Sequence, residues 1–181
     1  MRYLYVGVPS GNDGGFDPET LAAVRERVEA EFLLPAREME LPSIDFAYNA
    51  GRNQYGSIPV LEMLTRVCPA DAVKLVGLTG RDLFIPVLTF VYGHAQLGGR
   101  VAVVSLARLR QEFYGMEPNR EVFLERARKE AMHETGHLFG LVHCADRTCA
   151  MALATNIRQI DLKQARFCAL CAARLRRHPR E

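Results

Sequence analysis

No run in this 181-residue chain approaches the ~18 consecutive apolar residues that a membrane-spanning helix needs. The first eight residues, MRYLYVGV, are too short and too polar at their start for a secretory signal. A cytoplasmic location without membrane contact is therefore expected. Large charge is missing too: the formal net charge is +2, so no strongly electrostatic partner is implied. Lysine is scarce, and arginine makes up almost all of the 23 basic residues, without the Lys/Glu enrichment of hyperthermophile proteins. There is no internal repeat and no low-complexity tract. The five cysteines are an odd number, which in a reducing compartment argues against a disulfide framework. Clustered thiols in such a chain point to metal.

With 49% hydrophobic residues, the chain can form an ordinary core and one domain. Tyr3 to Val8 reads as a strand, followed by the turn-rich loop PSGNDGGFD. Asp17 can cap a helix with Pro18 in its first turn and Leu21, Val24 and Val28 as its apolar stripe, running to about Phe32. A strand near Arg37 to Leu41, a loop at YNAGRNQYGS and a helix over Ile58 to Arg66 follow. Residues 72–78, AVKLVGL, suit a strand buried on both faces. Residues 87–93 and 100–106 read as two strands joined by HAQLGG as a hairpin. A long helix then starts near Pro118, with Phe123, Ala127 and Ala131 on one face. The layout predicts an α/β (α+β) fold, a mixed sheet with helices packed on it. Residues 1–140 form the main lobe, and residues 141–181 form a small cysteine-rich lobe with a thin core of its own.

The long helix ends in HETGHLFGLVHC, residues 133–144. His133 and His137 are four apart and share a helix face, so both imidazoles can reach one zinc ion at ~2.0–2.1 Å. Glu134 is about 100° around the helix, where its carboxylate can reach a water on the metal without being a ligand. That is the pattern of a zinc hydrolase with a general base. On a continuous helix His143 would lie about 240° from His137 and point away. Gly140, where a left-handed turn costs least, lets the chain reverse so that His143 becomes the third ligand. Three imidazoles leave a fourth position for water. By chance alone the full spacing would occur in roughly two of 100,000 chains of this composition, so the match is specific.

Cys144, Cys149, Cys168 and Cys171 form a C-x4-C pair and a C-x-x-C pair, a spacing that suits a closed four-cysteine zinc site. Two zinc ions per chain are therefore expected, with adjacent His143 and Cys144 serving different ions. The C-x-x-C lacks the strand-helix setting of a redox pair. Cys68, apart from the cluster, reads as a buried inert thiol; His94 and His178 have no ligand spacing. The basic tail RLRRHPRE reads as a solvated helix end.

With these residues in view, the chain resembles the metzincins, whose signature is H-E-x-x-H-x-x-G-x-x-H with a following Met-turn. The immediate Cys144, the CAM at 149–151 and the later C-x-x-C resemble the archaemetzincins in particular. The strong match covers residues 133–171, and FVYGHAQLGGRVAVVS at 90–105 is also similar. The resemblance implies a two-lobed α/β fold with zinc on the cleft floor. It implies that His133, His137 and His143 are ligands, Glu134 the general base and Met151 the Met-turn residue. It further implies that an edge strand near Leu88 to Tyr92 takes an extended peptide. The function expected is a zinc metallopeptidase that hydrolyses peptide bonds with a Glu-activated, zinc-bound water. Its expected partner is a peptide or protein substrate, and the chain is expected to act as a monomer. The alternative is a non-catalytic zinc protein binding peptide or nucleic acid through the cysteine lobe and basic tail. A general base would have no use there, and the tail has no aromatic after Phe167 to stack on bases. Tyr92, Tyr114 and His94 are candidates for steadying the oxyanion, and spacing does not choose among them.

Overall fold

A computed structural model describes residues 2–11, 13 and 17–177. Part of the first loop and His178 with the rest of the tail's end lie outside the described residues. The main sheet has five strands: β1 (Tyr3–Pro9), β2 (Ala36–Leu41), β5 (Ala72–Thr79), β7 (Gly93–Ala95) and β8 (Val101–Ser105). Their order is β2-β1-β5-β8-β7. All neighbours are parallel except β7, which runs antiparallel to β8 at the edge. A small second sheet joins β3 (Tyr48–Asn49), β4 (Gln54–Gly56) and β6 (Leu83–Phe84).

Helices cover both faces. On one side, α1 (Pro18–Phe32) and α3 (Arg120–Leu138) bury Val24, Val28, Ala127 and Ala131 against Val76, Ala102 and Val104. On the other, α2 (Ser57–Val67) buries Val60 and Leu64 against Leu75, Val101 and Val103. The alternation along β8 follows from the period of two in a strand, and explains why every one of its residues is buried. Asp17 caps α1 through a hydrogen bond from the Thr20 N–H, with Pro18 at the helix start. Asn119 caps α3 in the same way through Val122.

Of the remaining helices, α4 (Ile157–Leu162) was not foreseen, whereas α5 (Ala169–Arg177) is the helix whose end the basic tail suggested. Ile160, Phe167, Cys171 and Leu175 from this segment join the same apolar core as α1 and α3. No helix among the described residues is long and apolar enough to cross a membrane.

Two expectations are corrected. The YNAGRNQYGS stretch is not a plain loop but a hairpin, Tyr48 opposite Tyr55 and Asn49 opposite Gln54. Residues 87–93 do not form a strand. That segment is turn-rich, and regular pairing begins only at Gly93. Two of its carbonyls are taken by side chains rather than by a neighbouring strand: Arg52 donates to Leu88 O and Gln54 to Thr89 O. Val91 alone bridges to Leu83. The edge strand proposed at Leu88–Tyr92 is thus displaced to Gly93–Ala95.

Candidate metal centres

The C-terminus of α3 determines whether three histidines can meet. Gly140 has φ 78°, the left-handed conformation that favours glycine. Its N–H bonds to His137 O at 2.9 Å, and the Leu141 N–H bonds to Gly136 O at 3.0 Å. This pair of bonds is the Schellman end of a helix, which reverses the chain and satisfies carbonyls that would otherwise be orphaned. The reversal brings the His143 ring within 5.3 Å of His133 and 5.1 Å of His137, centroid to centroid.

The rings are held by backbone carbonyls. His133 Nδ1 lies 2.8 Å from Ala150 O, and His137 Nδ1 lies 2.8 Å from Leu141 O. A carbonyl only accepts, so each Nδ1 carries the proton and each Nε2 bears a lone pair. Those two Nε2 atoms face one another at 3.1 Å. Two lone pairs so placed repel unless a cation is shared between them. Ligands on a tetrahedral zinc at ~2.0–2.1 Å are roughly 3.3 Å apart, which fits. One ligand atom from each of the three histidines lies within 4.8 Å of the others. Burial is the main cause that holds all three imidazoles below their ordinary pKa, so they are neutral and able to ligate. His133 is buried and His143 exposed, so the group spans from the floor to the mouth of a cleft.

That cleft is a cavity of about 550 Å³. Glu134 lines it while only 5% exposed. Burial, and then the nearby Glu130, push its carboxyl well above the usual range; Lys163 opposes them. The mouth is apolar, with Leu88, Leu97, Val142 and Leu153 lining it and each at least half exposed. Deeper in the lining sit Lys163 and Glu130, a buried ion pair at 2.8 Å. Sequence reasoning missed this pair because its partners are 33 residues apart. The one available signal was Glu130's place four residues before Glu134, on the same helix face.

Met151 is fully buried, and a side chain at Gly136 would run into its Sδ. It therefore packs directly beneath the helix turn between His133 and His137. Of the three oxyanion candidates, His94 lines the cavity while its Nδ1 lies 2.8 Å from Ser57 Oγ on α2. Tyr114 donates to Arg108 O and does not line the cavity. Tyr92 does line it.

The four cysteines also come together, with their sulfurs within 4.8 Å of one another. Cys144 Sγ and Cys168 Sγ are 3.8 Å apart. A disulfide would need ~2.05 Å, whereas thiolates on a tetrahedral zinc at ~2.3 Å are roughly 3.8 Å apart. Cys149 Sγ accepts the N–H groups of Met151 and Cys168, as a thiolate does. Hydrogen bonding, led by the Cys171 N–H, lowers the Cys168 thiol, while burial raises Cys149 and Cys171. Cys68 is remote from both groups and half-buried, and burial raises its thiol.

Known proteins similar to this chain are zinc peptidases and archaemetzincins. The model of peptidase family M54 matches residues 30–177. Archaemetzincin of Methanocaldococcus jannaschii is 45% identical over 138 residues, covering 75% of each chain. The crystal structure of archaemetzincin from Methanopyrus kandleri superposes with TM-score 0.82 at 34% identity, covering 97% of this chain and 94% of that one. A zinc-dependent peptidase from Methanocorpusculum labreanum gives TM-score 0.81 at 29% identity, covering 95% and 99%.

Proposed function

We propose, from the premise that this chain belongs to peptidase family M54 and is a zinc metallopeptidase of the archaemetzincin type, that it hydrolyses peptide bonds with Glu134 as general base. His133, His137 and His143 hold the catalytic zinc, and Cys144, Cys149, Cys168 and Cys171 hold a second, structural zinc. The observation that carries this reading is the pair of facing Nε2 lone pairs, 3.1 Å apart, beside a buried carboxylate that lines the same cleft. When bound, zinc supplies Lewis acidity, polarising the scissile carbonyl and acidifying water.

The chain's own groups do the rest. Glu134 takes the proton of the attacking water and passes it to the leaving amine. Its buried setting, which raises its proton affinity, suits it to that task. The outer edge of β7 pairs with no strand among the described residues, so an extended peptide can add there by main-chain hydrogen bonds. The apolar mouth then receives substrate side chains. Tyr92 is the candidate that best fits oxyanion support. A purely binding role would leave the buried Glu134 carboxylate without a use.

The test is a zinc-loaded protein incubated with a diverse peptide library, cleavage being read by mass spectrometry. Glu134→Gln keeps size and shape, and is expected to abolish cleavage while zinc content and melting temperature persist. Parent-like cleavage by Glu134→Gln would refute the mechanism.

A further inference from the structure

We propose that Gly93 is a positioning residue for the general base, on the reading of Glu134 given above. Side chains alternate along β7, so Gly93 and Ala95 face α3 while His94 faces α2. At Gly93 the strand backbone lies directly against Glu134. A Cβ there would clash with Oε1, Cγ and Cδ of that residue. The absence of a side chain at 93 is therefore the space in which the Glu134 carboxylate sits.

Two further observations make this contact decisive. Among the described residues no hydrogen bond to the Glu134 carboxylate is found, so its direction is set by packing against Gly93 together with the nearby charges of Glu130 and Lys163. The strand, moreover, is fixed at both ends. Tyr92 O accepts the Ser105 N–H at 2.8 Å, and beyond β7 the Gly98 N–H bonds to His137 O at 2.9 Å, hooking the strand's loop onto α3. The strand cannot draw back from the helix without breaking these bonds. A methyl group at position 93 must instead push the Glu134 side chain out of the position it holds beside the histidine group. Glu134 is about 100° around the helix from His133, so its reach to the reacting water depends on its rotamer.

Gly93→Ala tests this. With both zinc ions retained, kcat for a cleaved peptide is expected to fall by roughly 100-fold, the scale for a catalytic group misplaced by about an ångström. KM is expected to stay within about twofold, because peptide binding uses the outer edge of β7. A crystal structure of zinc-loaded Gly93→Ala should show the carboxylate displaced and the three imidazoles in place. A kcat within about twofold of parent overturns the proposal, as does a carboxylate that stays while β7 moves. If Gly93→Ala does not fold, Gly93→Ala with Glu134→Ala decides: folding restored supports the contact, and continued misfolding shows that the methyl clashes elsewhere. Glu134→Gln measured alongside separates the two readings. Activity in Glu134→Gln refutes the base itself, whereas an inactive Glu134→Gln beside a fully active Gly93→Ala refutes only the positioning role.

Discussion

Lys163→Met should be among the more damaging single changes in the protein, although Lys163 is neither a ligand nor the base. The Lys163 side chain is 0% exposed and that of Glu130 is 3% exposed, with Nζ and Oε1 2.8 Å apart. Solvent screening is thus minimal. Removing the ammonium leaves the Glu130 carboxylate buried without its partner, a loss of about 3–5 kcal/mol. For a chain of this length that corresponds to a fall in melting temperature of about 6–20 °C. The double change Lys163→Met with Glu130→Leu removes both charges at similar volume, and should recover most of the loss or exceed the parent. The assay is thermal and urea unfolding of Lys163→Met, Glu130→Leu and the double variant at one fixed zinc concentration, since bound metal shifts apparent stability. A single variant that loses less than about 1 kcal/mol, or a double variant no better than the worse single, would refute the idea that this pair is a coupled buried unit.

Other outcomes follow from the same geometry. Gly140→Ala places a Cβ at φ 78°, costs about 1–2 kcal/mol, and should weaken metal at the three-histidine group by roughly 10-fold or more, read by competition with a chelator. Cys168→Ser should lower affinity at the histidine group by roughly 10–100-fold, whereas His133→Ala should leave the cysteine-bound metal in place; unchanged histidine-site affinity in Cys168→Ser would sink that coupling. Burial depresses the folded-state imidazole pKa values below 6.5, so stability of the metal-free protein should be full above that pH. It should decline as pH falls below 6.5 toward the depressed folded values, measured by melting temperature against pH.

The parts of this molecule that were legible in sequence are those encoded by short-range spacing. The turn at Gly140 and the two histidines four apart are local facts, as are the two cysteine pairs. The capped start of α1 at Asp17 and the doubly buried β5 were equally local. What escaped was set by partners far along the chain. Residues 87–93 have the composition of a strand, but Arg52 and Gln54 claim the Leu88 and Thr89 carbonyls, and no periodicity reports that. Glu130 meets Lys163 across 33 residues. Gly93 looked like part of a strand, and only the approach of α3 shows why it carries no side chain. His94 lines the cleft, yet strand alternation also sets its Nδ1 against Ser57, a contact that spacing does not report.

The two metal groups are not merely neighbours, because one short segment serves both. Three consecutive residues have three tasks. Cys149 gives its sulfur to the cysteine group, Ala150 O holds His133 Nδ1, and Met151 packs beneath Gly136. Met151 O in turn accepts the Cys144 N–H at 2.9 Å, and Cys144 follows His143 directly. The cysteine group therefore fixes the carbonyl that orients one histidine and the loop that presents another. His137 depends on it less, since Leu141 O, part of the α3 terminus itself, holds its Nδ1. This asymmetry gives the coupling a direction. Opening the cysteine group should loosen two of three imidazoles, whereas losing an imidazole on α3 should leave every sulfur where it was. The four sulfurs thus share one short segment with the groups that orient His133 and present His143, which is the physical basis of the one-way coupling expected here.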